Sequence, residues 1–209
     1  MESSKSLLEL MMSFGIDPSG HEGEALRKYL ALLEKWNAGV NLTASTAWTD
    51  LRDFFAEALW AARFYPRETV EHIDIGSGAG FPAIPMRIVL PSMKLSLVEP
   101  REKRAAFLET LAAELGLEGT EVFCARIEDW LRKPCGARPG VWSWKGVKLG
   151  ADALELMRQS GDPGTRLWLF HGTELPMESP EEASRALRLL RREKFYGREG
   201  WYLSIYTFR

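Results

Sequence analysis

The chain has 209 residues and a formal net charge of −2, with 45% hydrophobic and 27% charged residues. This length suits one α/β domain with an appended segment, and a core of that size folds without disulfides or a structural metal. The composition is that of an ordinary soluble globular protein and excludes nucleic-acid binding through overall charge, so any such binding would need a local basic face.

The sequence also bears on location and metal content. No apolar run reaches the ~18 residues that a membrane helix needs. The apolar stretch Leu7–Met12 is too short, and its start too weakly basic, for an export signal. The two cysteines, Cys124 and Cys135, lack the spacing of a metal site. We therefore expect a cytoplasmic protein with no membrane segment and no bound metal.

Residues 1–65 are predicted to be helical, because apolar residues recur there at helical spacing. The first predicted helix ends near Gly15 and Pro18, and Thr49 or Asp50 can cap the third. We expect this segment to pack on a second unit, residues 66–209. Five aromatic residues near the third helix are interpreted as packing groups rather than a base-stacking platform: Trp48, Phe54, Phe55, Trp60 and Phe64.

From Val70 onward, strand and helix patterns alternate, as in a parallel sheet with right-handed crossovers. The predicted strands cover 70–75, 94–98, 120–124, 141–144, 166–171 and 201–208. The predicted helices cover 81–90, 101–115, a short turn after 125, 151–157 and 181–194. Residues 133–140 are rich in Pro and Gly and are predicted to form a loop.

The last predicted helix, 181–194, is strongly basic. Its cations are Arg185, Arg188, Arg191, Arg192 and Lys194. Such a run usually marks a solvated face, and contact with RNA is the alternative.

A glycine-rich turn, 76–80, follows the first predicted strand. Glycines let the backbone adopt positive φ and approach a ligand closely. A dinucleotide-binding loop would place a third small residue where this chain has Phe81. The compressed spacing, with Asp74 just before it, resembles the S-adenosylmethionine loop of class I methyltransferases, in which Asp74 could face the ligand's ammonium group. A tight turn with no ligand is the alternative.

Glu99 ends the second predicted strand, roughly 20 residues after the loop. Folds of this kind place an acid there to accept from the two ribose hydroxyls. An ordinary charge at a strand end is the alternative, but the spacing from the loop favours a nucleoside site.

Three basic residues follow the third, fourth and fifth predicted strands: Arg126, Lys145 and His171. Parallel strands bring their carboxyl ends to one edge of the sheet, where cations could hold a phosphate or the O6 edge of guanine. For Arg126 the alternative is a salt bridge with Glu128 or Asp129. For His171 it is a buried histidine whose hydrogen bonds are satisfied.

Taken together, these residues resemble the family of bacterial small-subunit ribosomal RNA methyltransferase G, also called glucose-inhibited division protein B. The segments that carry the resemblance are Trp36-Asn37, Asn41-Leu42-Thr43, Asp74-Ile75-Gly76-Ser77-Gly78-Ala79-Gly80-Phe81-Pro82-Ala83-Ile84-Pro85, Glu99-Pro100, Lys103-Arg104-Ala105-Ala106-Phe107-Leu108, Leu115-Gly116-Leu117 and Arg126-Ile127-Glu128.

The resemblance implies a class I, Rossmann-like α/β fold. We expect a mostly parallel seven-stranded sheet with an antiparallel last strand, preceded by the helical segment. It implies a monomer that uses S-adenosyl-L-methionine to methylate N7 of a guanosine in 16S rRNA, free or within the small ribosomal subunit. The implied catalytic residues are Arg126 and Lys145. The implied cofactor-binding residues are Asp74, Gly76, Ser77, Gly78, Gly80, Phe81, Glu99, Pro100, Arg126, Ile127 and Glu128.

The chain departs from the family pattern on the RNA side. A family histidine in the third helix is replaced by Phe54, although Glu57 keeps the acid of that motif. A family arginine after the fourth strand is Lys145 here, and a family lysine after the fifth is His171. A diverged homologue that acts on another substrate, or one that binds partners without catalysis, is therefore the alternative function.

The sequence also disfavours two other kinds of methylation. It contains no Asn/Asp-Pro-Pro-Tyr/Phe motif, which argues against exocyclic amines as acceptors. Pro134-Cys135 resembles the nucleophile of cytosine-C5 enzymes, but it precedes the fourth predicted strand rather than following it.

Overall fold

The computed structural model describes residues 2–68, 70–132 and 139–209. Its helices are α1 (Glu2–Ser13), α2 (His21–Val40), α3 (Trp48–Ala62), α4 (Ala83–Val89), α5 (Glu102–Glu114), α6 (Ile127–Leu131), α7 (Ala151–Ser160) and α8 (Pro180–Ala186). Its strands are β1 (Glu71–Ile75), β2 (Lys94–Val98), β3 (Thr120–Phe123), β4 (Val141–Lys145), β5 (Arg166–His171), β6 (Leu187–Phe195) and β7 (Trp201–Phe208).

The strands form one seven-stranded sheet in the order β3-β2-β1-β4-β5-β7-β6. Neighbouring strands from β3 to β5 are parallel, whereas β7 runs antiparallel to both β5 and β6. The strand order reverses at β1, between β2 and β4, and such a reversal opens a crevice at the carboxyl ends of parallel strands. The predicted class I, Rossmann-like fold with its antiparallel last strand is confirmed.

The alternation of side chains along β1 separates two hydrophobic cores. Ile73 and Ile75 point into the core shared with α6 and α7. His72 and Asp74, two residues apart on the same strand, therefore lie on the opposite face, which α1 to α5 cover. Both of these polar side chains are buried, so each needs a hydrogen-bond partner inside the protein.

The N-terminal helices contact the glycine loop directly. The Tyr29 hydroxyl of α2 donates a 2.8 Å hydrogen bond to the carbonyl of Ala79. The Phe81 ring lies 5.1 Å from the rings of both Tyr29 and Phe55. Trp36 packs on Phe107 of α5 at 5.7 Å. Phe81 therefore stands where a dinucleotide-binding loop would have a small residue, and its ring anchors the helical layer to the loop.

The predicted basic helix over 181–194 is wrong for most of its length. Only residues 180–186 are helical, and Leu187–Phe195 forms the edge strand β6. Leu, Arg, Glu and Lys favour helices intrinsically, but pairing with β7 overrides that preference here. A bulge between Leu189 and Arg191 interrupts the register, and charged side chains on an edge strand discourage pairing with another chain.

Within the described residues, no helix is long and apolar enough to cross a membrane.

Candidate active site

The glycine loop lies between β1 and α4, with Gly76, Gly78 and Gly80 at φ values of 68°, 56° and 93°. A Cβ at Gly76 would collide with Val147, and one at Gly80 would lie 2.8 Å from Ile84 Cγ1. Packing therefore requires two of the glycines. A Cβ at Gly78 would meet nothing closer than 3.5 Å, so its backbone conformation alone requires glycine there.

Glu99 links the end of β2 to this loop. One carboxylate oxygen accepts from the Gly78 amide at 2.8 Å, and the other accepts from the Arg101 amide at 3.0 Å. The side chain is buried, with 3% of the residue exposed. Each carboxylate oxygen has two lone pairs, so Glu99 can still accept from ligand hydroxyls.

Two cavities meet at the loop. The first, about 400 Å³, lies over the carboxyl ends of β1 to β4, and its lining includes Gly76, Glu99, Pro100, Arg126, Ile127, Glu128 and Lys145. The second, about 630 Å³, lies between the loop and the N-terminal helices, and its lining includes Gly76, Ser77, Gly78, Phe81 and Lys145. The residues common to both are Gly76, Arg104, Lys145 and Gly146. Most sequence-predicted site residues are therefore brought together around one junction.

Asp74 and Gly80 line neither cavity. Asp74 Oδ1 accepts a 2.5 Å hydrogen bond from Ser143 Oγ, and Ser143 Oγ lies 2.7 Å from His72 Nε2. His72 Nδ1 lies 3.3 Å from the Tyr65 hydroxyl. The carboxylate thus faces β4 beneath the loop rather than the open site. Burial raises the pKa of Asp74 to about 7 and lowers the pKa of His72 to about 3, so His72 is neutral in the fold.

Lys145 ends β4 and lies at the junction of the cavities. It forms a salt bridge with Glu57 of α3, whose side chain is 2% exposed. Its Nζ lies 4.4 Å from the Phe54 ring centroid and 5.5 Å from that of Trp201. The Trp201 indole donates to the other oxygen of Glu57. Burial lowers the pKa of Lys145, and the charge of Glu57 opposes that shift.

Arg126 and His171 have different environments. Arg126 caps α6, is exposed and lines the first cavity. Among the described residues it pairs with neither Glu128 nor Asp129, and Asp129 pairs with Arg132 at 3.5 Å. His171 is buried. Its Nδ1 lies 2.7 Å from the Gly172 carbonyl and its Nε2 lies 2.8 Å from Ser204 Oγ. His171 is therefore a buried histidine whose hydrogen bonds are satisfied. Of the three basic residues predicted at this edge of the sheet, Arg126 and Lys145 line the cavities.

The structure adds residues to the site that the sequence did not assign there. Arg104 of α5 lines both cavities and donates a 2.9 Å hydrogen bond to the Asn41 carbonyl. Arg198 and Trp201, from the β6–β7 hairpin, line the second cavity. Glu57 of α3 pairs with Lys145 and accepts from Trp201, and the sequence signal for this role is the acid that it keeps from the family motif in the third helix. Cys135 lies outside the described residues, and in the described part no group of His, Cys, Asp or Glu is placed to hold a metal.

Comparison with solved structures identifies the fold. The glycopeptide N-methyltransferase MtfA, solved with S-adenosyl-L-methionine, superposes with a TM-score of 0.59 at 12% identity, covering 75% of this chain and 95% of that one. A SAM-dependent methyltransferase from Aquifex aeolicus gives 0.56 at 15% identity, covering 76% and 92%.

Comparison by sequence identifies the family. Ribosomal RNA small subunit methyltransferase G from Exiguobacterium sibiricum is 39% identical over 119 residues, covering 56% of this chain and 50% of the relative. The protein of that name from Lawsonia intracellularis is 40% identical over 129 residues, covering 59% and 60%. The chain thus spans about half the length of the curated relatives it matches. The model of GidB, rRNA small subunit methyltransferase G, matches residues 22–143, which is more than half of the chain. The chain belongs to the rRNA small subunit methyltransferase G family.

Proposed function

We propose that the protein is an S-adenosylmethionine-dependent methyltransferase that transfers a methyl group to N7 of a guanosine in 16S rRNA. The observation that carries this proposal is the pair of cavities around the glycine loop, which meet at Gly76 and Lys145. A nucleoside that bears a charged amino-acid tail needs a site in two parts. Membership of the family supports RNA as the acceptor.

The residues present fit this cofactor. The space that a Cβ at Gly78 would take is open, so a ligand can approach the backbone there. Glu99 can still accept hydrogen bonds from the two ribose hydroxyls. Asp74 lies below the loop, where its carboxyl group accepts from Ser143. We assign cofactor binding to Asp74, Gly76, Ser77, Gly78, Gly80, Phe81, Glu99, Pro100, Arg126, Ile127 and Glu128, of which Asp74 and Gly80 act by shaping the loop.

The chemistry needs little from the protein beyond placement. When bound, S-adenosylmethionine supplies a methyl group made electrophilic by its sulfonium. Guanine N7 has an in-plane lone pair, so no general base is needed. The protein must align the acceptor and keep water out. The rings of Phe54 and Trp201 form apolar walls of the second cavity that can do both.

Two cations complete the acceptor side. Lys145 faces the cavity junction, where its ammonium can donate to guanine O6 or to a phosphate. Arg126 is exposed at the rim of the first cavity and, among the residues that the structure describes, carries no ion pair to Glu128 or Asp129, so we assign its guanidinium to phosphate. These are the two residues we assign to catalysis.

The β6–β7 hairpin adds one cation to the acceptor side, Arg198, which lines the second cavity. The cations of β6 are engaged elsewhere, since Arg191 pairs with Glu193 and Arg192 donates to Ser204. Family membership and the cations that line the cavities support 16S rRNA or the small ribosomal subunit as the partner. A monomer acting in the bacterial cytoplasm is the simplest setting for that reaction.

Complementation tests the proposal. The gene would be expressed in a bacterial strain that lacks its own family enzyme, and nucleosides from its 16S rRNA would be analysed by mass spectrometry. We expect N7-methylguanosine to return at the missing position. Wild-type protein that is expressed and folded but restores no methylation would contradict the proposed activity.

One observation favours a second candidate, a homologue that binds S-adenosylmethionine without methylating rRNA. Lys145 and Glu57 pair with each other inside the cleft, and Phe54 stands where the family has a histidine. This candidate predicts calorimetric binding of S-adenosylmethionine together with no methyl transfer to 16S rRNA or to 30S subunits.

A further inference from the structure

Lys145 lies at the junction of the two cavities that would hold the two parts of the proposed cofactor. The first cavity contains Glu99, which suits the ribose, and the second contains Gly78 and Ser77, which leave room for the methionine part. The sulfur joins these two parts of the molecule. The sulfur would therefore lie near the junction, and Lys145 is one of the residues that line both cavities.

A lysine is an unfavourable neighbour for a sulfonium. Both groups carry a full positive charge, and like charges repel strongly in a site shielded from water. Arg104 and Arg198 also line the second cavity, so among the described residues its three lining cations, with Lys145, outnumber its one lining acid, Asp50. Without compensation, the site would favour the neutral demethylated product, S-adenosylhomocysteine, over the cationic methyl donor.

Glu57 is placed to supply that compensation. Its carboxylate forms a salt bridge with Lys145 and accepts from the Trp201 indole, and its side chain is 2% exposed. The Lys145 ammonium lies over the faces of Phe54 and Trp201, which fixes it next to Glu57. Asp74 of β1 also acts on Lys145, but its carboxylate accepts from Ser143 beneath the loop. Asp50 and Asp53 of α3 line a smaller cavity with Lys145, whereas Glu57 is the acid that forms the salt bridge.

We propose that Glu57 is the counterion that neutralises Lys145 and thereby sets the preference of the site for S-adenosylmethionine over S-adenosylhomocysteine. The inference rests on the proposed function. Glu57 touches Lys145 and Trp201 rather than the reacting atoms, so it is a positioning residue. Its effect should appear in the ratio of two affinities, since the two ligands share every contact except the transferred methyl and its charge.

The ratio can be measured by calorimetric titration at about pH 8, between the ordinary pKa values of Glu and Lys. Glu57→Gln should weaken the binding of S-adenosylmethionine relative to that of S-adenosylhomocysteine by at least about fivefold, the effect of a unit charge about 4 Å away even when water screens it fully. Glu57→Asp keeps the charge and should restore most of the ratio. Lys145→Met should shift the ratio in the opposite direction, and Glu57→Gln combined with Lys145→Met should return it towards wild type.

Glu114→Gln is the matched control, because Glu114 also pairs with an N-terminal helix, through Lys28 at 2.8 Å, but on the exposed surface. Its ratio should equal that of wild type. If Glu57→Gln shows no cooperative melt, Lys145→Met decides the question alone. Ratios unchanged in folded Glu57→Gln, or in Lys145→Met, would overturn the counterion role. Wild-type protein that binds neither ligand would instead contradict the proposed function.

Discussion

The Gly78 amide donates a 2.8 Å hydrogen bond to the carboxylate of Glu99. This contact joins the loop after β1 to the end of β2, 21 residues later in the chain. Glu99 lines the first cavity and Gly78 lines the second, so this bond ties together the two parts of the proposed cofactor site.

Replacing Gly78 by Ala should weaken both cofactor binding and the fold. A residue with a Cβ at a φ of 56° costs about 1–2 kcal/mol, because the left-handed region is unfavourable for L-residues. In addition, the Cβ would occupy the open side of the loop, so we expect S-adenosylmethionine affinity to fall about tenfold or more. Calorimetry and urea unfolding measure the two effects.

Gly116→Ala is the control for this substitution. Gly116 has a φ of 61° and no atom within 4 Å of an added Cβ, and it lies at the end of α5. The control should lose similar stability and keep its affinity. Equal losses of affinity in both variants would mean that Gly78 acts only through the fold.

Glu99→Gln should weaken the binding of S-adenosylmethionine and of S-adenosylhomocysteine to the same degree. The glutamine side chain has only one acceptor oxygen, so the backbone amide of either Gly78 or Arg101 loses its partner. We expect a loss of about 1.5–3 kcal/mol in the binding of each ligand, the cost of a hydrogen bond to a charged group. Because both ligands contain the ribose, the ratio of their affinities should stay at the wild-type value, in contrast to Glu57→Gln.

The pair Asp74 and His72 should give opposing contributions to the pH dependence of stability. The pKa of Asp74 rises from 3.8 to about 7, so the folded state binds the extra proton between these values and stability falls as pH rises. The pKa of His72 falls from 6.5 to about 3, so the unfolded state binds the extra proton and stability rises with pH. The two effects oppose each other between about pH 4 and 6.5.

Asp74→Asn should therefore steepen the rise of stability with pH in that window. Without the Asp74 titration, nothing offsets the titration of His72. The slope of the unfolding free energy against pH should therefore increase by up to about 1.4 kcal/mol per pH unit. Urea unfolding at several pH values measures the slope. Asp152→Asn, on the exposed first turn of α7, is the control for loss of a carboxylate. An unchanged slope in Asp74→Asn would contradict the opposing pair.

The sequence predicted the sheet and the loop because their signals are local. The strand, the glycines and Glu99 lie within about 30 residues, and their spacing alone places them at one edge. The pairing of Glu57 with Trp201 has no such signal, because it joins residues 144 positions apart. Strand β6 also lacks a local signal, because its residues favour a helix and pairing with β7 holds them extended.

Arg126→Ala should reduce the salt dependence of RNA binding. If Arg126 contacts a phosphate, its loss removes about one unit from the slope of log affinity against log salt and weakens binding to all RNA sequences alike. Filter binding or fluorescence anisotropy with a 16S rRNA fragment measures the slope. Arg158→Ala is the control, because Arg158 is tied to Glu155 on α7, away from the glycine-loop cavities. An identical slope in wild type and Arg126→Ala would remove Arg126 from the RNA site.

A chain that begins at residue 66 should not fold into a stable methyltransferase unit. Removing α1 to α3 would uncover Phe81, which packs against Tyr29, Phe54 and Phe55 at ring distances of 5.1 to 5.3 Å. It would also leave the Ala79 carbonyl without the Tyr29 hydroxyl. Exposed apolar surface of this kind promotes aggregation or a molten state. Circular dichroism melting and size-exclusion chromatography test this, and a monomer with a cooperative melt would show that residues 66–209 fold independently.

Tyr29→Phe in the full chain is the graded comparison, since it removes only the hydrogen bond to Ala79 and should lower the free energy of unfolding by about 1 kcal/mol. If the shortened chain folds and still binds S-adenosylmethionine as tightly as the full chain, the helical layer serves the acceptor side of the cleft alone.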